Sequence, residues 1–321
     1  MTNHVKNSLS PSLNPAQTRA ICYSGYRRGQ NPAVGIFPSY SEILEDLSLL
    51  AQHWDCIRLY DAGPHAHTVL EVIAREKLSL SVLMGMDLAA EMNNPNCPWL
   101  NPISEEKLQQ NRQHNDEELV RTLRLIKIYE PHIAGISIGN EASVDWTDHK
   151  VPIERLLHFA GALKSLVSVP VTFCENYVPW ASGELDALAN TVDVIAVHTY
   201  PIWESISVKD ALAYTQQNFE SVKSRFPNKP VMITEAGWAT RANGAGFPAA
   251  LANPQDQITY CEALLKWSQQ EGVLTFLFEA FDEDWKGSDD PAEPEKHWGI
   301  YTIDRQPKPV AEAILSPKRV H

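Results

Sequence analysis

Two acidic residues stand where apolar runs of the sequence stop. The stretch "GISIGNEA", Gly135 to Ala142, reads as a buried strand that breaks off on Asn140 and Glu141, and "PVMITE", from Pro230, ends on Glu235. A carboxyl group at the mouth of such a strand can protonate, deprotonate or attack, because burial, hydrogen bonds and nearby charges set its ionisation. Two carboxyls facing one gap form the pair that glycosidic bond cleavage requires. One protonates the departing oxygen while the other attacks the sugar carbon, and for retention of configuration they lie about 5–5.5 Å apart. Pairing with a surface lysine is the plain alternative for either residue alone. Matching strand ends with aromatic neighbours make it the weaker reading for both together.

Such a meeting needs a sheet whose strand ends lie on one side. Eight short β-rich runs recur along the chain: "AICYSG" from Ala20, "CIRLY" from Cys56, "LSVLMGM" from Leu80, "GISIGN" from Gly135, "VPVTFCE" from Val169, "VDVIAVHTY" from Val192, "PVMITE" from Pro230 and "VLTFLFEAF" from Val273. Between them lie stretches such as "SEILEDLSLLAQHW", "HTVLEVIAREK", "DEELVRTLRLIKIYE", "IERLLHFAGALKSL", "VKDALAYTQQNFESVKSRF" and "DQITYCEALLKWSQQ". Their apolar residues return every three or four positions, as one buried helix face requires. Ser39, three residues before Glu42, makes a capping-box pattern, with Ser41 an equally good start. Strands apolar on both faces that alternate with helices imply a parallel sheet covered by helices. The pattern predicts an α/β protein with a single (β/α)₈ TIM barrel over residues 19–321 and a flexible N-terminal arm over 1–18. A doubly wound open sheet is the alternative, but no glycine-rich phosphate loop follows the first strand.

In such a barrel, chemistry belongs at the carboxyl ends of the strands. The residues found there are Tyr60 and Asp61, Asn140 and Glu141, Glu175, Asn176 and Tyr177, His198 and Tyr200, Glu235 and Trp238, then Glu279, Phe281, Asp282 and Glu283. Carboxylates and aromatic rings dominate this rim. Tyr60, Tyr177, Trp180, Trp203, Trp238, Phe281 and Trp285 are candidates for stacking on sugar faces. Arg58 in "IRLYD" reads equally as part of a charged floor or as a structural ion-pair partner. His65 and His67 in "HAH" open a helix without further ligands of suitable spacing, so capping or a surface position is expected, and His198 is the better pocket histidine. No metal and no cofactor is expected.

Taken together, "SIGNEA", "ITEAGWAT", "IRLYDA", "HTYPIW", "FLFEAFDEDWKG" and "HWGIYTIDRQPKP" resemble glycoside hydrolase family 17, the β-1,3-glucanase family of clan A, over nearly the whole barrel. The resemblance implies that Glu141 is the general acid/base and Glu235 the nucleophile. Asn140 corresponds to the asparagine that bonds the 2-hydroxyl of the attacked sugar, and Tyr200 is placed to orient the nucleophile. Glu279, Glu283 and Lys286 fall where the family keeps a charged network beside the site. Trp238 and Phe281, inside the matched motifs, are the preferred stacking residues. Ala236 and Ala239 depart from the plant pattern, so the chain looks closer to the bacterial and fungal branch, which includes enzymes that pass the glycosyl group to another glucan.

Composition agrees with a neutral ligand. Of 321 residues 44% are hydrophobic and 21% charged, ordinary for a globular enzyme. The formal charge of −13 argues against nucleic acid or anionic lipid as partners. No apolar run approaches the ~20 residues that cross a bilayer. Cys22, Cys56, Cys97, Cys174 and Cys261 form no CxxC pair and read as buried, reduced side chains. The first residues do not read as an export signal, which suggests the cytoplasm, whereas the glucan lies outside it. A trimmed start or imported oligosaccharides are the alternatives. The leading expectation is a retaining endo-acting β-1,3-glucanase on laminarin-type glucan; the others are a β-1,3-glucanosyltransferase and a non-catalytic glucan-binding barrel.

Overall fold

In the computed structural model, which describes residues 13–315, the strands are β1 (Ala20–Cys22), β2 (Cys56–Arg58), β3 (Ser81–Met84), β4 (Ile133–Asn140), β5 (Val171–Asn176), β6 (Ile195–His198), β7 (Val231–Gly237) and β8 (Thr275–Phe278). They form a closed barrel in sequence order. All neighbours are parallel, and β1 closes on β8 through Ala20 with Phe276 and Ile21 with Leu277. Every residue of β1, β2, β6 and β8 is buried. These strands are covered on both faces, which is why their sequences run continuously apolar instead of alternating.

The helices are α1 (Tyr40–Leu50), α2 (Pro64–Glu76), α3 (Glu105–Tyr129), α4 (Ile153–Leu166), α5 (Tyr177–Ser182), α6 (Asp186–Thr191), α7 (Val208–Arg225), α8 (Pro254–Glu271) and α9 (Pro309–Ile314). Ser39 caps α1 in a full capping box with Glu42, which decides the register against Ser41. Asn253 caps α8 by accepting from the Asp256 N–H at 2.9 Å, Pro254 opens the first turn, and Gly272 closes the helix at φ 65°. None of the helices among the described residues is long and apolar enough to cross a membrane.

The third helix begins well before the apolar stretch expected to mark it. Its inward face over the extra turns buries Asn111 and Asn115 beside Leu108, and Glu118 follows them at the start of the expected stretch. Asn111 donates to Ala90 O at 2.7 Å, Asn115 accepts from Ala89 N at 2.8 Å, and Glu118 accepts from Ala62 N at 2.8 Å and Asp87 N at 3.1 Å. The helix covers loop backbone there, so polar side chains occupy the periodic positions that apolar residues usually hold.

One irregular register falls between Val82 and Leu83, opposite the start of β4, and three others lie toward the functional end. Shifts occur between Ser137 and Asn140, between Val197 and His198, and between Ile233 and Ala236. Such bulges bend a strand and re-aim the side chains after them. Between β7 and β8 a Cβ on Gly237 would meet Phe278 O at 2.0 Å, so only glycine permits this approach. Residues 1–12 of the expected arm, and residues 316–321 of the expected barrel, lie outside the described residues; within 13–18, Leu13 is buried in the core. All five cysteines are buried and unbridged.

Candidate active site

A cleft of about 1100 Å³ opens at the carboxyl ends of the strands. Glu235, two residues before the end of β7, is buried under it. Its Oε2 accepts from the Tyr200 hydroxyl at 2.6 Å and its Oε1 from the Tyr60 hydroxyl at 3.0 Å and from the Arg58 guanidinium. Burial pushes this carboxyl up, but the charges of His198 and Arg58, with hydrogen bonds from Tyr200 and Arg58, hold it below the ordinary carboxylate range. Arg58 is itself buried at the end of β2; its other nitrogen bonds Asn140 Oδ1. It is therefore both floor and ion-pair partner, the two roles its sequence position left open.

Glu141 follows β4 directly. Its backbone is left-handed, φ 43°, a conformation that costs a non-glycine residue about 1–3 kcal/mol and gathers at functional sites. His198, buried at the end of β6, donates from Nδ1 to Glu141 Oε1 at 2.8 Å and lies 3.5 Å from Glu235 Oε2. Burial opposes charge on this ring, but Glu235 and hydrogen bonds to Cys174 and Glu141 outweigh it and raise the imidazole. Arg58, 3.3 Å from Nε2, pulls the other way and favours a neutral ring with its proton on Nδ1. In either state Nδ1 keeps its hydrogen.

One oxygen from each glutamate and a nitrogen of His198 lie within 4.8 Å of one another, a spacing that could also suit a metal ion. The donor chemistry fits a cation badly. Nδ1 carries a proton, and the Arg58 guanidinium already neutralises Glu235.

Tyr60, Asp61, Asn140, Tyr177 and Tyr200 line the cleft from strand ends, and Trp203, Trp285 and Lys286 reach it from the loops after β6 and β8. His198 stands behind the two glutamates. Lys286 bridges Glu279 at 2.6 Å and Glu283 at 2.8 Å. Those two carboxylates are buried behind it, a charged network beside the site, and do not line the cleft, so they are not placed to bind substrate directly.

Two preferred stacking residues are also corrected. Trp238 is fully buried, with its indole nitrogen donating to Leu251 O at 2.8 Å; from Glu235 onward the alternation of β7 turns it away from the cleft. Phe281 is buried between Tyr23 and Tyr301, under the Arg305 guanidinium. Trp180 is a third: it is buried, donating to Ala196 O at 3.1 Å. His65, expected at the surface or as a cap, is a buried wall residue stacked on Tyr26 with centroids 5.2 Å apart, and burial lowers its imidazole to about 4.

Other residues of the cleft escaped the sequence reading. Glu295 sits in the loop after β8, where burial and the carboxylates of Glu235 and Glu293 raise it to about 7 against the pull of Lys286. Trp99, Trp146 and Tyr214 come from loops and from α7, where no strand ending announces them. The block "EKHWG" carrying Glu295, inside or beside a matched stretch, was the available signal.

Comparisons with known proteins agree with this architecture. The chain is 24% identical to the glucan 1,3-beta-glucosidase of Arthroderma benhamiae, covering 97% of both chains. It is 24% identical to that of Schizosaccharomyces pombe, over 90% of this chain and 86% of the other. The fold matches an endo-laminarinase from Formosa Hel1_33_131 with a TM-score of 0.79 at 24% identity, covering 93% of this chain and 86% of that one. It also matches the glycoside hydrolase family 17 β-1,3-glucanosyltransferase of Rhizomucor miehei, with a TM-score of 0.72 at 19% identity over 91% and 96% of the two chains. Residues 20–299 match the profile of the BtgE/BtgC glycoside hydrolase domain, and the chain belongs to that family.

Proposed function

We propose that the protein cleaves β-1,3-linked glucan within the chain and with retention, using Glu141 as acid/base and Glu235 as nucleophile. The observation that carries this reading is the approach of the two carboxylates: one oxygen of each lies within 4.8 Å of the other. An approach no wider than that suits the short spacing of retaining enzymes, about 5–5.5 Å between carboxyl groups, better than the ~6.5–9.5 Å that an inverting enzyme needs to admit water.

Ionised Glu235 attacks the anomeric carbon as Glu141 gives its proton to the glycosidic oxygen, so the carbon–oxygen bond to the leaving sugar breaks as the ester to Glu235 forms. The negative charge on Glu235 is then gone. Glu141, now a carboxylate, takes a proton from the incoming hydroxyl, whose oxygen attacks the same carbon and frees Glu235. Asn140 Oδ1 is engaged by Arg58, so its amide NH₂ is the group available to a sugar hydroxyl.

Aromatic residues stand on both sides of the glutamates, which suits binding in the interior of a glucan. Tyr26 and Trp285 lie on the β1 and β8 side, Tyr177 and Trp203 on the β5 and β6 side. The second group favours a second reading, transfer to a sugar. Tyr177 directly follows β5, the strand paired with the β4 end that carries Glu141, and is held by a 3.1 Å hydrogen bond to Tyr214, so it would serve as a platform for an acceptor.

Incubation with laminari-oligosaccharides at rising concentration tests both. A first-formed product of β configuration and shorter length supports hydrolysis with retention, and products longer than the substrate support transfer. A first-formed α product ends the mechanism.

A further inference from the structure

Glu175 is a buried carboxylate to which the reaction assigns no role. It is the penultimate residue of β5, with no exposed surface. Its Oε2 accepts from the Ser143 N–H at 2.9 Å and the Ser143 hydroxyl at 2.7 Å, and its Oε1 from the Asn176 N–H at 2.7 Å. Ser143 lies two residues after Glu141, in the turn that leaves β4. The other end of the same turn is also tied to β5, because the Glu141 N–H donates to Cys174 O at 3.0 Å. Consecutive residues of β5 therefore grip the turn in which Glu141 adopts φ 43°.

A buried carboxylate is costly to keep unless its hydrogen bonds are worth having there. Burial and repulsion from Glu141 raise Glu175 to about 7 even against its three donors. The charged group that acts on it is Glu141, at the end of the neighbouring β4, and its polar partners are Ser143 and Asn176. Among the described residues no cation makes an ion pair with it. An apolar residue would join β4 to β5 at less cost, but it could not hold two donors of Ser143.

We infer that Glu175 is the positioning residue of the acid/base: its carboxylate clamps Ser143 and so fixes the left-handed turn that presents Glu141 to the departing oxygen. This rests on the reading of Glu141 as the acid. A clamp of that kind should matter in proportion to how much proton the leaving group needs. A residue that merely stabilises the barrel should slow all substrates alike.

The test compares kcat/KM on laminarihexaose with kcat/KM on a dinitrophenyl β-laminaribioside, whose leaving group departs without protonation. For Glu175→Gln, the loss on laminarihexaose should be on the order of 10²-fold, carried by kcat, with under about threefold loss on the aryl substrate. Ser143→Ala keeps the backbone donor, should fold even if Glu175→Gln does not, and should show the same selectivity at about three- to tenfold. Glu141→Ala run beside them separates the two ideas. If it is selective for poor leaving groups while the others lose equally on both substrates, or lose nothing, the clamp is refuted and the acid stands. If Glu141→Ala itself lacks the selectivity, the acid assignment fails and the clamp falls with it.

Discussion

The β7 corner and the β4 corner of the cleft hold the same side chain in opposite settings. The Glu235 side chain is 8% exposed, sits within β7 and is gripped by Arg58, Tyr60 and Tyr200. The Glu141 side chain is 23% exposed, follows a left-handed backbone and meets His198. A nucleophile has to be ionised and still at the moment of attack, and a dense set of donors with a cation provides both. An acid/base has to lose and regain a proton in each turnover, so it needs access to the leaving oxygen and to the incoming hydroxyl. On the proposed assignment the contrast teaches that environment, and not residue type, divides the two roles.

The largest test removes one corner's chemistry and leaves its shape. Glu235→Gln should lower kcat on laminari-oligosaccharides on the order of 10⁴-fold or more and abolish trapping by a fluoro-sugar mechanism-based inactivator, read as a lost mass increment on the protein. Wild-type trapping at any residue other than Glu235 would reverse the comparison. Next in size is the cation. Arg58→Met leaves a buried carboxylate without its partner and should cost about 3–5 kcal/mol of stability in denaturant unfolding. A variant of unchanged midpoint would mean that Glu235 is not ionised in the folded protein.

How far the sequence announced this contrast varies with the source of each residue. The strands were legible because continuous apolar runs are what a doubly covered parallel sheet demands, and Glu141 and Glu235 were legible because they end such runs. The first half of α3 was not, since Asn111 and Asn115 put polar groups at its periodic positions. Trp238 and Phe281 were misplaced because a motif tells which residues occur together and not which face of the strand each one takes. Glu295, Trp99, Trp146 and Tyr214 reach the cleft from loops and a helix, so no rule about strand ends could find them. The left-handed turn at Glu141 left no trace either, because that conformation is commonly announced by glycine and here a glutamate adopts it.

A finer test trims one donor from the crowded corner. Tyr200→Phe deletes the 2.6 Å hydrogen bond to Glu235 Oε2 while keeping the ring. A hydrogen bond to a charged group contributes about 1.5–3 kcal/mol, which corresponds to a loss of roughly ten- to 100-fold in kcat/KM. The sign of the pH effect follows from the direction of the shift. Glu235 is held below the ordinary carboxylate range in the folded enzyme, in part by this hydroxyl. Losing it raises the carboxyl, so the acid limb of the kcat/KM profile should move to higher pH. The stability that the lowered carboxyl contributes is whole above the ordinary carboxylate range and is lost as pH falls to its folded value, so the variant, with a higher folded value, has less of it to lose and finishes losing it at a higher pH than the parent. An acid limb that stays in place would show that Glu235 does not set it.

The smallest effect should come from a change that spares both corners. Trp203 lines the cleft on the β5 and β6 side, with its ring edge-on to Phe247 at 4.9 Å between centroids. Trp203→Ala removes a surface for the sugar that leaves or the one that accepts, and neither glutamate loses a partner. An aromatic contact of this kind is worth about 0.5–1.5 kcal/mol, so KM for laminarihexaose should rise about two- to tenfold with kcat nearly unchanged. The leaving-group dependence should stay that of the parent, because the acid is untouched. The same variant weighs transfer against hydrolysis: if acceptors dock on this wall, the yield of longer products should fall further than the rate of cleavage. Equal falls in both would place the acceptor elsewhere, and a drop in kcat with KM fixed would mean that the wall shapes the glutamate pair itself.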